Sequence, residues 1–346
     1  MPLNFKTLLL GCTLILIAAG VLLFGFVPRH AEGPTVVVYT SVDPEYALAL
    51  FEKFTKESGI HVEPRTDSEA SKSTGMAERL LQMKGRPDGD VVWNSELSLT
   101  QVLANADALE PYASPNAAEI PASYKDTQNR WAGFGCRARV ILFNTNLIKR
   151  EDVPRTLEGF ADPKWKDKCT VPKPLFGTTR SHFVSLVLAL GEEKAFKLFH
   201  AWRDNGVVIA ESNSDVRERV ANGYSTIGLT DSDDAFEALA GKKPVDFIVA
   251  DQTADWHGAY LIPNTVAILK NCKHGAEAKK FVDFLLRPET EAWLAEHGAH
   301  QIPVRTLPGM TSPVPLGDLK PIVVDVEQLG KSVLPVADRI YDALKK

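Results

Sequence analysis

The densest chemistry in this chain lies at residues 228–234, which read Gly228, Leu229, Thr230, Asp231, Ser232, Asp233, Asp234. Three carboxylates and two hydroxyls follow an apolar strand pattern and immediately precede Ala235 and Phe236, where a helical pattern starts. Clustered oxygen donors of this kind suit a hard cation, although Phe236 stands where an EF-hand loop requires glycine. The placement favours a site as well, because ligands of open α/β sheets bind beyond the carboxyl ends of strands. The plainer reading is a helix start in which one Asp caps and the others face water.

A second candidate is the run Phe176, Gly177, Thr178, Thr179, ahead of the helical positions Phe183, Leu186 and Val187. Free N–H groups and hydroxyls at a helix N-terminus form a ready anion site; ordinary capping is the competing use. Arg137 and Arg180 are the basic residues on offer to such an anion, with solvation of a cleft rim as their plainer role. The polar stretch Thr66–Gly75 has the length of a cleft edge that touches a ligand or a membrane partner. His182, Trp256 and His257 read as packed or surface residues. Catalytic signatures are missing: there is no Gly-x-Ser-x-Gly elbow, no phosphate-binding Gly-x-x-x-x-Gly-Lys loop and no His-Glu-x-x-His helix. An exported hydrolase would have to rest on Cys136 and an unplaced His.

The elements that must hold these groups follow from the patterning. Residues Leu8 to Val27 carry no charge and are preceded by Lys6, enough apolar chain to cross a bilayer core. The positive flank stays inside and the remainder is exported, with the segment either a cleaved signal or a retained anchor. The remaining chain, about 315 residues, is long enough for two domains. A net charge of −5 with no basic stretch argues against nucleic acid. Cys136, Cys169 and Cys272 are too few and too scattered for a zinc site or a disulfide framework, though one pair could bridge. Beyond the linker at Glu32–Pro34, β-branched runs (Thr35–Thr40, Asp90–Trp93, Val207–Ile209, Thr226–Leu229, Thr265–Leu269) alternate with amphipathic helical stretches. That rhythm predicts a largely parallel sheet with helices on both faces, in two α/β lobes between which the chain crosses more than once.

Several segments in order carry a resemblance: Val38–Ser41, Gly89–Glu96, Arg137–Thr145, Asp162–Trp165, Val220–Gly223, Ile262–Ile268 and Phe284–Glu289. Together they resemble the solute-binding proteins of bacterial ABC importers, particularly the ferric-ion-binding branch, over nearly all of the chain after residue 34. The resemblance implies a two-lobed, class II periplasmic-binding-protein-like fold that closes on its ligand like a hinge. It also implies roles for individual residues. Glu96 matches a position that supplies a carboxylate to the metal. Asp43 matches a first-strand loop position where the family often has histidine, while Asp43 before Pro44 is also a good helix start. Gly177–Thr179 and Asn213 match segments that contact the anion accompanying ferric ion. The family's two adjacent tyrosines have no counterpart between Leu229 and Phe236. Either Asp231 and Asp233 hold the metal, or the ligand is not ferric iron.

The expected protein is therefore a non-enzymatic, extracytoplasmic binder without a cofactor. Fe3+ is its cargo and an ABC permease its partner, and it works as a monomer in the periplasm or at the outer face of the cytoplasmic membrane. Asp43, Glu96, Asp231 and Asp233 are the expected metal ligands; Gly177, Thr178, Thr179, Asn213 and Ser232 are the other ligand contacts. The alternative cargo is a small charged organic solute such as an amine or phosphonate. Residues 1–33 form the signal or anchor with its linker, 34–132 one lobe and 133–260 the other. Residues 261–312 return to the first lobe, and 313–346 form C-terminal helices packing on the second.

Overall fold

The computed structural model describes residues 33–66, 74–310, 312 and 314–345. The apolar segment 8–27 and most of the polar stretch 66–75 lie outside the described residues.

Strand β1 (Thr35–Thr40) is buried over its last five residues and pairs in parallel with β2 (His61–Thr66) and β3 (Val91–Asn94). Helix α1 (Pro44–Ser58) joins β1 to β2. Pro44 starts it with φ preset, and Gly59 ends it in the left-handed conformation at φ 72°, its N–H donating to Thr55 O. Its Ala47, Leu50, Phe51 and Phe54 lie against Trp93, Phe281 and Phe284, forming one apolar core. The second core gathers Ile141, Phe143, Phe160, Phe183, Phe199, Trp202 and Leu229. Around it β6 (Cys169–Pro172) pairs in parallel with β7 (Val208–Ala210) and β8 (Ile227–Asp231).

With β5 at Ala132–Asn144 and β10 at Leu261–Leu269, the strand order is β2-β1-β3-β10-β5-β8-β6-β7, and the short β4 (Leu109–Glu110) pairs with β10. Parallel pairing holds for β1 with β2 and β3 and for β6 with β7 and β8, as the strand–helix rhythm predicts. The remaining pairs are antiparallel, so the sheet is mixed and not largely parallel. The connection between halves differs: β5 and β10 run antiparallel to each other and to their neighbours. The reason is that the chain passes out on β5 and returns on β10, and antiparallel partners require no crossover helix. Residues 132–138 of β5 pair with β10, while Arg139–Asn144 pair with β8 and with β9 (Val245–Val249). One thirteen-residue strand thus belongs to both halves and sets the register between them.

Helices α3 (Ser98–Asn105), α4 (Gly177–Leu190) and α5 (Glu192–Asp204) all meet the last helix, α10 (Val326–Leu344). Leu329, Ile340 and Leu344 enter the second core. Val333 packs on Ala77 and Leu99 beside the first half, so α10 spans both. Cys136, Cys169 and Cys272 are unpaired, and Cys136 and Cys169 sit in different cores.

Candidate functional site

A cleft of about 800 Å³ opens where the two halves meet. The first half and the returning chain contribute Ser41, Asp43, Tyr46, Ser95 and Gln301, and β5 contributes Arg137. The second half contributes Lys173, Gly177, Thr178, Thr179, Asn213, Asp231, Asp233 and Asp234. Of the residues singled out from sequence, Asp43, Gly177, Thr178, Thr179, Asn213, Asp231 and Asp233 therefore converge.

The acidic stretch is not a loop. Strand β8 ends at Asp231 and helix α7 (Ser232–Ala240) begins at the next residue, placing Asp233 and Asp234 in its first turn. Negative charge is favoured there by the helix dipole. Asp231 occupies the cap position without capping, because its carboxylate is fully engaged elsewhere. Its Oδ1 accepts from Arg139 Nη1 at 2.6 Å. Its Oδ2 accepts from Thr178 Oγ1 at 2.8 Å, Asn213 Nδ2 at 3.0 Å and Arg137 Nη1 at 3.4 Å. Register explains the first of these: Arg139 of β5 pairs directly with Asp231 of β8. Asp231 and Arg139 are both essentially inaccessible, and such a pair stands only when further hydrogen bonds satisfy it.

Asp233 is less saturated. Its Oδ2 faces Arg137 Nη1 at 3.5 Å and its Oδ1 accepts from the N–H of Asp234. Burial pushes its pKa up to about 6; the Arg137 charge works downward, while Asp231 and Asp43 add to the rise. Asp234 is raised well above the usual carboxylate range by burial and by the charges of Asp233 and Asp231. Its Oδ2 accepts from Thr230 Oγ1, and Arg217 lies 3.7 Å from its Oδ1. Oxygen atoms of Asp231, Asp233 and Asp234 all lie within 4.8 Å of one another, a spacing that could hold a metal ion.

Two helix N-termini border this floor. Gly177 opens α4 at φ +52°, a conformation glycine tolerates. Thr178 and Thr179 follow it, both buried, and Thr179 Oγ1 accepts from Arg139 Nη2 at 3.4 Å. Helix α6 (Asn213–Ala221) starts at Asn213, capped by Ser212 Oγ, which accepts from the N–H of Asp215. Asn213 Oδ1 accepts from Arg139 Nη1 at 3.0 Å. The anion candidates are thus tied to the Arg139–Asp231 pair and do not stand apart from it.

Two predicted residues face elsewhere. Glu96 is fully buried, and its carboxylate accepts from the N–H groups of Ser98 and Leu99 and from Ser181 Oγ. It serves the N-terminus of α3 and bridges to α4, and it does not line the cleft. Ser232 Oγ accepts from Ala138 N–H of β5 and is turned into the sheet. Arg180 is buried, with Nη1 donating to Leu175 O. Arg137, offered by the sequence either to an anion or to a solvated rim, lies on β5 between Ser95 O and the acidic floor. Arg139 and Tyr46 were not singled out from sequence. A detectable signal for Arg139 was two arginines at i and i+2, on one face of a strand otherwise apolar.

The chain matches the bacterial extracellular solute-binding proteins over residues 97–323. Iron uptake protein A1 of Synechocystis sp. is 24% identical over 320 residues, covering 90% of this chain and 88% of its own. Iron-bound HitA from Pseudomonas aeruginosa shares the fold with a TM-score of 0.78 at 22% identity, over 89% of this chain and 99% of that one. The Trichodesmium IdiA/FutA structure with iron and citrate gives a TM-score of 0.73 at 23% identity, over 88% and 99%. With its family match spanning more than half its length, and with the mixed α/β architecture of a periplasmic-binding-protein fold, the chain belongs to the bacterial extracellular solute-binding proteins.

Proposed function

We propose that this protein is the extracytoplasmic substrate-binding component of an ABC importer, and that its cargo is ferric iron accompanied by an anion. One observation carries the reading: three carboxylates within 4.8 Å of one another form the floor of an interlobe cleft. The cleft lining holds six carboxylates against three basic side chains, a balance that favours a cation. The N-termini of α4 and α6 beside that floor suit an accompanying anion. The family's iron-named relatives support the assignment.

On this reading residues 34–132 with 261–312 form one lobe and 133–260 the other, and they close on the cargo as a monomer. A permease in the cytoplasmic membrane receives it, and residues 8–27 export the protein or hold it at the outer face. The test is titration with ferric citrate and with citrate alone, followed by metal analysis after gel filtration. One iron retained per chain is expected. Its complex should lack strong tyrosinate-to-iron colour, because Tyr46 donates to Gly298 O and burial pushes its pKa up to about 12. Failure to retain iron removes the iron assignment.

A second cargo is supported by the size of the cleft. About 800 Å³ falls within the range of small-molecule pockets, ~300–1,000 Å³, and Val42, Phe176 and Leu294 offer apolar contact. A small charged organic solute, such as an amine or phosphonate, would use this volume. Native mass spectrometry of protein purified from its host would show its mass directly.

A further inference from the structure

We propose that α10 is a jointed strap between the two lobes, clasped to α3 ahead of Pro335 and to the second lobe beyond it, with Pro335 as the joint that lets the lobes change their angle. The inference rests on the reading that the lobes close, and not on the identity of the cargo.

The contacts divide at the proline. Ahead of it, α10 runs antiparallel along α3. Glu327 O accepts from Asn105 Nδ2 at 3.0 Å, Gly330 lies against Gln101, and Val333 packs on Leu99. A Cβ on Gly330 would stand 2.8 Å from Asn105 Nδ2, 2.9 Å from Gln101 Cγ and 3.1 Å from the Gln101 carbonyl carbon. Glycine is what lets the two helices approach this closely. Leu329 reaches the second core from the adjoining face. Beyond the proline, Val336, Ile340, Ala343 and Leu344 lie in or against the second core, and Arg339 pairs with Glu192 of α5. Lys173 of the cleft wall places its Nζ 5.6 Å from the centre of the Tyr341 ring.

The joint sits where the halves touch. Ser98, at the start of α3, has its Oγ 2.7 Å from Ser181 Oγ of α4, and both residues are fully buried. The neighbouring Leu99 is the residue that Val333 covers, so α10 leaves α3 at the level where α3 meets α4. A change of lobe angle turns α3 relative to α4, and a straight helix fastened to both would have to bend or let go. Pro335 has no N–H to give the Lys331 carbonyl, and its ring crowds that carbonyl, so the helix bends there at least cost. A proline inside a helix breaks a local rule, and such breaks belong where function needs them.

The experiment measures the interlobe distance by double electron–electron resonance in the full chain. Spin labels sit on Glu52→Cys of α1 and Lys197→Cys of α5, both exposed, with Cys12→Ser and Cys272→Ser in the background. Pro335→Ala restores the missing hydrogen bond and stiffens the strap. Its ligand-free distance distribution should be narrower than the parent's, and the shift on adding ferric citrate should shrink. Ferric citrate affinity should fall about five- to tenfold, because the closed form becomes rarer. Its melting temperature should not fall, since a helix interior favours alanine over proline. A distribution as broad as the parent's overturns the proposal. Should Pro335→Ala lose its native circular dichroism, Gly330→Ala takes its place. The added methyl lifts α10 off α3, so the distribution should broaden, and an unchanged width again overturns the joint. A parent held at one narrow distance defeats the strap and the closing reading together. If the parent does not bind ferric citrate, the iron assignment fails, while the ligand-free widths still decide what Pro335 does.

Discussion

Arg139 and Asp231 face each other across the β5–β8 pairing, Nη1 to Oδ1 at 2.6 Å, at the junction of the molecule's two halves. From this pair the hydroxyls of Thr178 and Thr179 and the amide of Asn213 are all held in place. Asp231 is therefore a post on which these cleft-lining groups hang, and on the proposed reading Asp233 is the less saturated carboxylate that meets a ligand.

Removing one member of that pair leaves an uncompensated buried charge, at a cost of ~3–5 kcal/mol. Asp231→Asn and Arg139→Met should each lower unfolding stability by that order in urea titration. The double variant Asp231→Leu/Arg139→Met should recover a large part of it, since apolar replacement of a buried pair is often neutral. Ligand binding should remain lost in all three. Near-parental stability of either single variant would show that the pair is solvated in solution.

Glu96 leads to the opposite expectation. Its carboxylate serves the N–H groups of Ser98 and Leu99 and the Ser181 hydroxyl. Glu96→Ala should cost ~1–2 kcal/mol of stability, as for a lost helix cap, and leave ligand affinity within about twofold at a temperature where the variant is folded. A selective loss of metal affinity with unchanged stability would restore Glu96 as a ligand.

The pH dependence follows from Asp233. Its pKa is raised from 3.8 to about 6, first by burial and further by Asp231 and Asp43, with Arg137 opposing. A carboxyl raised in the fold favours the folded state while protonated. Its contribution is present below about pH 4 and is lost as pH rises through about 6. Metal binding runs the other way, because the ligand form is the carboxylate, so affinity should fall as pH drops below about 6. Asp233→Asn should flatten the stability trend across that window. An unchanged slope in the variant would assign the titration to another group; Asp234, whose pKa is also raised, is the first to test.

Much of this arrangement was legible in the residues. The alternation of strands and helices gave the layers, and Gly177, Thr178, Thr179, Asn213, Asp231 and Asp233 do meet in one cleft. Local pattern reports which face of an element is apolar, and it placed Asp43 at the start of α1. It does not report register. Arg139 acquires its role only because β5 slides to the position where it opposes Asp231, a pairing 92 residues apart. The directions of Glu96 and Ser232 were hidden for the same reason: Glu96 turns toward the Ser98 N–H and Ser181, and Ser232 toward the Ala138 N–H. The antiparallel passage of β5 and β10 escaped as well, since a strand that serves two halves has the same residue pattern as one that serves a single sheet.

The most direct test of the proposed cargo is calorimetric titration of the full chain with ferric citrate, paired with the same titration of Asp233→Asn. One-to-one binding by the parent, with iron retained after gel filtration and affinity lost in Asp233→Asn, is the predicted result. A parent that binds citrate as tightly as ferric citrate and retains no iron, or an Asp233→Asn variant that holds iron as well as the parent, would contradict it.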